Sequence, residues 1–215
     1  MNISWYGHSC FKIQSKDVIL ITDPFSKEIG IKPPFGAADI VTVSHHHANH
    51  DNSAVIKNDP FVVDGPGEYE IKKAVIRGIE SFHNDNNKEE KNTIYTIETE
   101  EIKICHLGDL GQKSLDSDQL SRIGDIDILF IPVGGVNTIN SKDAENIIGQ
   151  IEPRMVIPMH YKLKGVKGCL EKLDDISSFC QSHSLDPKQT VSKIALKKKD
   201  LPEEDTQYVL MDLGK

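Results

Sequence analysis

The sequence of 215 residues contains no long apolar run and no leader-like segment. Nowhere do about 18 apolar residues follow one another, which is roughly the length that a membrane-spanning helix needs. The first residues also lack the basic region and apolar stretch of a secretory signal. We therefore expect a cytoplasmic protein with no membrane partner.

Cysteine is scarce, and basic residues are outnumbered by acidic ones. The four cysteines form no CxxC pair and no tight framework, which is typical of reduced thiols in a cytosol. A net charge of −8 argues against a nucleic-acid partner, whose binding surface would be basic. The 38% apolar and 27% charged residues are ordinary for a globular protein, and we expect one α/β domain over residues 1–215.

Histidine is concentrated directly after one predicted strand. The β-branched run 40–43 predicts a buried strand, and four histidines follow it within six positions. Alternate residues of an extended backbone face the same side, so His45 and His47 should point together and His46 away. Two converging imidazoles suit zinc or a similar ion if further ligands arrive from elsewhere. A polar loop that is rich in histidine is the alternative interpretation.

Short strands dominate the first half of the chain, and helices enter in the second. Strands are predicted at 3–6, 10–13, 18–22, 40–43, 61–64, 69–78, 93–98, 102–106, 128–133, 155–159, 194–196 and 208–211. A surface loop is predicted at the polar run 83–92. Helices are predicted at 117–123, after a cap at Asn140 or Ser141, and from Gly168 to about Ser184. Strands first, then strands alternating with helices, indicate sheets covered by helices.

Three more polar residues stand where predicted strands end. They are His83, Asp109 and His160. Each alone is weak evidence, because a histidine after a strand or a Gly-Asp pair is usually a surface or turn feature. Ligands presented from several strand ends are nevertheless how a rigid sheet builds a site. Together with the histidine cluster, these residues predict one shared metal site.

Several motifs in this order resemble the metallo-β-lactamase superfamily, in particular its small zinc-dependent hydrolases similar to ascorbate-phosphate lactonases. The superfamily's HxHxDH signature matches His45, His47, Asn49 and His50. Its later ligands match His83, Asp109 in a Gly-Asp pair, and His160. The opening residues 5–11, residues 22–25, 65–69 and 131–135 also match, so the resemblance extends over essentially the whole chain.

The resemblance implies an α/β fold, a four-layer αβ/βα sandwich with metals at one edge between two sheets. By that analogy three histidines, His45, His47 and His83, hold the first metal. His50 and His160 hold the second metal, and Asp109 bridges the two. Zinc is the expected ion, in one or two copies, with manganese as an alternative. Asp109 and His160 are also the expected catalytic residues. His8 and His106 either orient ligands or are buried structural histidines.

Asn49 departs from the superfamily pattern. The superfamily places an aspartate here, whose carboxylate ligates the second metal and holds the attacking water. A neutral amide oxygen is a poor zinc ligand and no base, so we expect a weakened second site. Asp51 and His46 are potential substitutes, although each would require a rearranged turn.

The expected function is metal-dependent hydrolysis of a small-molecule ester, lactone or phosphoester. Bound metal lowers the pKa of a water to about 7, which makes hydroxide available at neutral pH. The alternative is a member of the fold that binds metal or a ligand without hydrolysis. An RNA-processing nuclease is disfavoured, because the chain lacks spare length for a nucleic-acid clamp and lacks basic charge.

Overall fold

The N-terminal third of the chain builds most of a first β-sheet. The computed structural model describes residues 1–84 and 87–213, with the backbone alone for residues 87–89. The first strands are β1 Asn2–Gly7, β2 Cys10–Gln14, β3 Ile19–Thr22, β4 Ile40–Thr42 and β5 Phe61–Val63. β1, β2 and β3 form the predicted antiparallel meander, whereas β3, β4 and β5 are parallel. The carboxyl ends of these three parallel strands therefore lie at one edge of the sheet.

The middle of the chain forms a second sheet. Its main strands are β6 Gly67–Ile71, β7 Ala74–Asn84, β8 Asn87–Thr99, β9 Ile102–His106, β10 Ile128–Pro132 and β11 Met155–Met159. β9, β10 and β11 are parallel, and β10 and β11 are buried at every position because both faces of this sheet are covered. Their carboxyl ends also share one edge, which brings residues that follow the strands together.

Four two-residue strands close the chain. They are β12 Thr190–Val191, β13 Ile194–Ala195, β14 Gln207–Tyr208 and β15 Leu210–Met211. β13 extends the first sheet beside β1, β14 extends the second beside β11, and β12 and β15 pair with each other. The predicted final strand 208–211 is thus divided between two sheets.

The two sheets pack face to face around an apolar core. Phe11 of β2 stacks on Phe130 of β10 with 4.0 Å between ring centroids. The buried Tyr95 hydroxyl of β8 donates to the carbonyl oxygens of Val43 and Val63, at 2.8 and 3.1 Å. These contacts join the sheets and satisfy a polar atom that burial would otherwise leave without a partner.

Helices cover the outer face of the second sheet, and short 3₁₀ turns cover the first. The helices are α1 Ser117–Ile123, α2 Ser141–Ile151 and α3 Ser177–Ser182; the turns are Lys27–Ile29, Ser53–Val55 and Gly168–Lys172. The four-layer αβ/βα sandwich is therefore confirmed, with one outer layer made of short turns. Within the described residues no helix is long and apolar enough to cross a membrane.

Local sequence accounts for where the two longer helices begin. The Asn140 side chain accepts a hydrogen bond from the backbone N–H of Asp143 at 3.0 Å, so it caps α2 as predicted. The buried stripe of α2 is also as predicted, at Ala144, Ile147, Ile148 and Ile151. α1 begins with a capping box in which Asp116 and Gln119 exchange side-chain and backbone hydrogen bonds.

The prediction of a surface loop over residues 83–92 is wrong. This segment belongs to the long β7–β8 hairpin, which pairs from Val75 with Glu98 out to Asn84 with Asn87. Residues 85 and 86 lie outside the described residues. The sequence predicted a loop because this part of the hairpin has polar side chains and is stabilised by backbone pairing. It therefore lacks the alternation of apolar and polar residues by which a strand is recognised.

The predicted helix from Gly168 to about Ser184 is broken in two. Between the 3₁₀ turn and α3, the Asp174 backbone donates to the Gly134 oxygen at 2.8 Å and accepts from the Lys162 N–H at 2.9 Å. The apolar residues on either side of this break bury themselves in different places. Leu170 and Leu173 join the cluster on the first sheet, whereas Phe179 joins the central core. One straight helix could not reach both.

Candidate metal centre

Four histidine side chains converge on one oxygen of Asp109 at the shared carboxyl edge of the two sheets. Oδ2 of Asp109 lies 3.0 Å from Nε2 of His160 and 3.1 Å from Nε2 of His50. It lies 3.9 Å from Nε2 of His83 and 4.0 Å from Nε2 of His45. The chain thus brings together side chains from four strand ends that are far apart in sequence.

The histidine loop after β4 divides into inward and outward residues. His45 is half-buried and His50 fully buried, whereas the side chain of His46 is 70% exposed. Asp51 lies with His46, at 3.6 Å between Oδ2 and Nδ1, and therefore away from the Asp109 cluster. His47 lines the cavity at the site, and its Nδ1 contacts Oδ1 of Asn49.

His83 lies at an irregularity in the pairing of β7 with β8. Between the pairs Phe82–Lys91 and Asn84–Asn87, β7 has the single residue His83 and β8 has three residues, 88–90, and such irregularities are common beside functional sites. Its Nδ1 lies 3.0 Å from the Asp109 carbonyl oxygen, which as an acceptor requires Nδ1 to carry the proton. Nε2 of His83 is then free to bind a metal ion. The chain after Asp109 can approach His83 this closely because residue 111 is glycine: a Cβ there would lie 2.0 Å from the His83 backbone oxygen.

A buried carboxylate behind the site orients His50. Asp23 accepts hydrogen bonds from the backbone and hydroxyl of Ser44, at 2.8 and 2.6 Å, and from Nδ1 of His50 at 2.9 Å. This contact holds the His50 proton on Nδ1 and turns Nε2 towards Asp109. The Ser44 hydroxyl also lies 3.1 Å from Nδ1 of His45. Sequence reasoning gave Asp23 no role, although its position at the end of β3 was a signal.

Asn92 and Ser9 hold Asp109 in place. The Asn92 side-chain oxygen accepts from the Asp109 backbone N–H at 3.0 Å, and its amide donates to Ser81 and to the Leu107 oxygen. The Ser9 hydroxyl donates to Oδ1 of Asp109 at 3.3 Å, which leaves Oδ2 for the histidines. Asn92 was missed because it lies in the polar run that was read as a loop.

His8 and His106 are both buried, but they face different surroundings. His8 lies beside Asn49, with 2.7 Å between its Nε2 and the Asn49 amide nitrogen. His106 lies under the site, with Nε2 2.8 Å from the Ser9 carbonyl oxygen, and it packs at right angles against the stacked rings of Phe11 and Phe130. His106 thus supports the core, whereas His8 borders the histidines around Asp109.

Burial and the two buried carboxylates affect the histidines of the site in opposite directions: the pKa values of His45, His47 and His8 are lowered, whereas that of His50 is raised. Burial and the neighbouring His50 lower the pKa of His45 to about 3, and burial also lowers the pKa of His47 and His8. Burial opposes ionisation of Asp109, but His160 and His50 hold its pKa well below the usual value. Burial likewise opposes a charge on His50, yet Asp109 and Asp23 raise its pKa to about 10.

The donor set fits a divalent metal ion. Neutral imidazole nitrogens and one carboxylate are the ligands that zinc and related ions take in proteins. Nδ1 of His160 and Nδ1 of His8 are buried without a hydrogen-bond partner among the described residues, which is rare for imidazole in a folded protein.

Three residues of the site, His8, Asp23 and His160, have a left-handed backbone conformation, with φ of 54°, 38° and 51°. Such strain concentrates at functional sites.

Comparison with known proteins agrees with the motifs. The family model described as the beta-lactamase superfamily domain matches residues 2–160. A "UPF0173 metal-dependent hydrolase" from Bacillus mycoides is 27% identical over 195 residues, covering 75% of this chain and 85% of that protein. A "UPF0173 protein" from Pyrococcus abyssi is 27% identical over 186 residues, covering 77% and 85%.

A solved structure from Thermotoga maritima, described as a candidate Zn-dependent hydrolase of the metallo-β-lactamase superfamily, is similar along the whole chain. It is 34% identical, has a TM-score of 0.78, and the match covers 98% of this chain and 97% of that one. With the family match over residues 2–160, this likeness shows that the chain belongs to the beta-lactamase superfamily domain family, within the metallo-β-lactamase superfamily.

Proposed function

We propose that this chain is a metal-dependent hydrolase that cleaves a small ester, lactone or phosphoester. The observation that carries the proposal is the convergence of four imidazoles on Oδ2 of Asp109, between 3.0 and 4.0 Å. We assign the first ion to His45, His47 and His83, the second to His50 and His160, and the bridge to Asp109. Zinc is the ion proposed, with manganese as the alternative.

The site opens into a small cavity. Its volume is about 150 Å³, and apolar residues including Val136, Leu170 and Leu173 line it together with the histidines. A larger depression of about 450 Å³ lies between Tyr6 and Lys193, away from the histidines. We place the substrate at the smaller cavity because the metal-binding side chains line it, and its size favours a small molecule.

A bound ion would polarise the substrate's carbonyl or phosphoryl oxygen and activate water at neutral pH. The protein's own residues supply the geometry. Asp109 is ionised and fixed by Ser9 and Asn92, so it presents one oxygen to both metal positions. His160 approaches that oxygen from the second sheet, which places both proposed catalytic residues beside the cavity.

The names of the relatives support hydrolysis. The Bacillus mycoides protein is named a metal-dependent hydrolase, and the Thermotoga maritima structure is described as a candidate Zn-dependent hydrolase. The motif resemblance to ascorbate-phosphate lactonases favours a lactone among the substrate classes. One observation favours the second candidate, a binding protein without hydrolysis. Asn49 offers a neutral amide where the superfamily has an aspartate that holds the attacking water.

The two candidates are separated by an assay of ester, lactone and phosphodiester substrates with zinc or manganese. A hydrolase should turn over at least one class, and Asp109→Asn should lower that rate by about 10²-fold or more, since such groups contribute about 10²–10⁴. His46→Ala is the matched control, because His46 belongs to the same loop but faces solvent. Metal binding without turnover of any class would favour the second candidate.

A further inference from the structure

His8 has a fixed backbone in the turn between β1 and β2. Its carbonyl oxygen accepts from Nε1 of Trp5 at 3.0 Å and from the backbone N–H of His160 at 3.2 Å. These two bonds tie the turn to the end of β11 and hold His8 at a φ of 54°, a conformation that side-chain-bearing residues rarely adopt. The backbone of His8 is therefore held at one position beside the end of β11.

The His8 ring lies against two of the proposed metal ligands. Its centroid is 4.5 Å from that of His50 and 4.3 Å from that of His160. The three rings each offer a nitrogen, and these nitrogens all lie within 4.8 Å of one another. In a tetrahedral site with bonds of about 2.0–2.1 Å, ligand nitrogens are roughly 3.4 Å apart, so a small inward movement would bring them to bonding distance.

Asn49 is already committed to other partners. Its Oδ1 contacts Nδ1 of His47, and its Nδ2 lies 2.7 Å from Nε2 of His8. The amide therefore links His47 to His8 and does not present its oxygen to the second metal position. That position needs another donor. Because Nε2 of His8 accepts from the Asn49 amide, a neutral His8 carries its proton on Nδ1 and its lone pair on Nε2, so Nε2 is the atom that would bind the ion in place of the amide.

We propose that His8 is a ligand of the second metal position, together with His50, His160 and Asp109. This rests on the proposed metal site and names a donor that the superfamily signature does not assign. Replacing a carboxylate with a third imidazole changes which ion the position prefers. Imidazole suits zinc and cobalt, whereas manganese favours carboxylate oxygens, so the second position should select zinc or cobalt over manganese.

The test is to count the metal ions that each protein binds from zinc or cobalt. The variant is His8→Asn, because asparagine tolerates left-handed backbone but lacks the imidazole. The wild type should bind two ions and His8→Asn one, with the first ion's affinity unchanged. Asn49→Ala should still bind two ions if its oxygen is not a ligand. His46→Ala, on the exposed side of the loop, is the control.

A measurement on the wild type avoids dependence on a variant's folding. Anomalous diffraction from zinc-loaded crystals should show two peaks, the second about 2.0–2.1 Å from a His8 nitrogen. A second ion out of reach of His8, or two ions retained by His8→Asn, would overturn the proposal and leave the hydrolase assignment intact. A single ion in the wild type would also overturn it. No binding at all would overturn both.

Discussion

At residue 49 an amide stands where a carboxylate is expected, and its contacts explain how the site accommodates it. Both polar atoms of Asn49 face imidazoles, on His47 and His8. The sequence alone shows the substitution, but it cannot show these contacts, because His8 is 41 positions away. Asn49 therefore links two neighbouring rings through its amide.

The substitution Asn49→Asp should raise manganese affinity at the second position more than zinc affinity. It adds a charged oxygen donor, which manganese prefers, beside His50 and His160. Titrating wild type and variant with each ion under identical conditions measures the change. Equal gains for both ions would contradict the view that the native position is rich in imidazole.

Asp23 orients His50, a proposed metal ligand. Asp23→Asn would remove the charged acceptor that holds the His50 proton on Nδ1, and such outer contacts are typically worth about 10–100-fold in metal affinity. Metal titration should show a loss of that size. Asp39→Asn is a matched control, because it removes a partly exposed carboxylate that is bound to Lys72 and to the Ile19 N–H, away from the histidines, and it should leave affinity unchanged.

At the scale of elements, the sequence predicts strands better than it predicts their partners. Apolar and β-branched runs correctly predicted β1 to β4 and β9 to β11, because a strand that is buried in the core has apolar residues along its own sequence. The extended hairpin beyond Phe82 was missed, since its polar residues are held by backbone pairing. His83, Asp109 and His160 were found from strand ends, whereas Asn92 depends on a hairpin register that no local pattern reports.

The segment after β10 passes so close to the segment that carries His160 that a side chain at residue 134 would not fit. At Gly134, a Cβ would lie 2.2 Å from the His160 oxygen, far inside a normal contact. Gly134→Ala should therefore displace His160, lowering both thermal stability and metal affinity. Melting temperature and metal titration of the variant measure the two effects.

Gly149 provides the control within α2. A Cβ there meets nothing within 4 Å, and alanine favours helix over glycine by about 0.5–1 kcal/mol. Gly149→Ala should raise the melting temperature and leave metal binding unchanged. If Gly134→Ala behaved in the same way, the close packing around His160 would not be required for the site.

At the scale of the whole molecule, the site lies between two sheets whose inner faces form one core. Phe11 on Phe130 and Tyr95 on two strand carbonyls cross that core. We propose that residues 1–215 unfold as one domain. Removing metal should then lower the melting temperature of the entire chain in a single transition, because metal that binds only the folded state stabilises all of it.

Metal binding should release a proton and should strengthen as pH rises. Without metal, burial disfavours a charge on His50, but Asp109 and Asp23 raise its pKa to about 10. The pKa of histidine in the unfolded chain is about 6.5, so the protonated His50 stabilises the folded, metal-free protein fully below about pH 6.5. This stabilisation is lost as pH rises through the folded pKa of about 10. Coordination needs neutral imidazole, so the melting-temperature gain from metal should grow across this window.

Calorimetry of zinc binding near pH 7.5, in buffers of different ionisation enthalpy, measures this proton directly. We expect about one proton released per chain from His50. Release independent of pH between 6.5 and 10 would show that another group supplies it.

The most direct test of the metal centre is the metal content of the chain purified without added metal or chelator. The structure predicts at least one zinc-like ion per chain in the wild type and in His46→Ala, and a large loss in His83→Ala and Asp109→Ala. These two residues lie far from the histidine loop in sequence but within 4.0 Å of each other's ligand atoms. Full occupancy in both variants, or a metal-free wild type that binds none on titration, would contradict a shared site around Asp109.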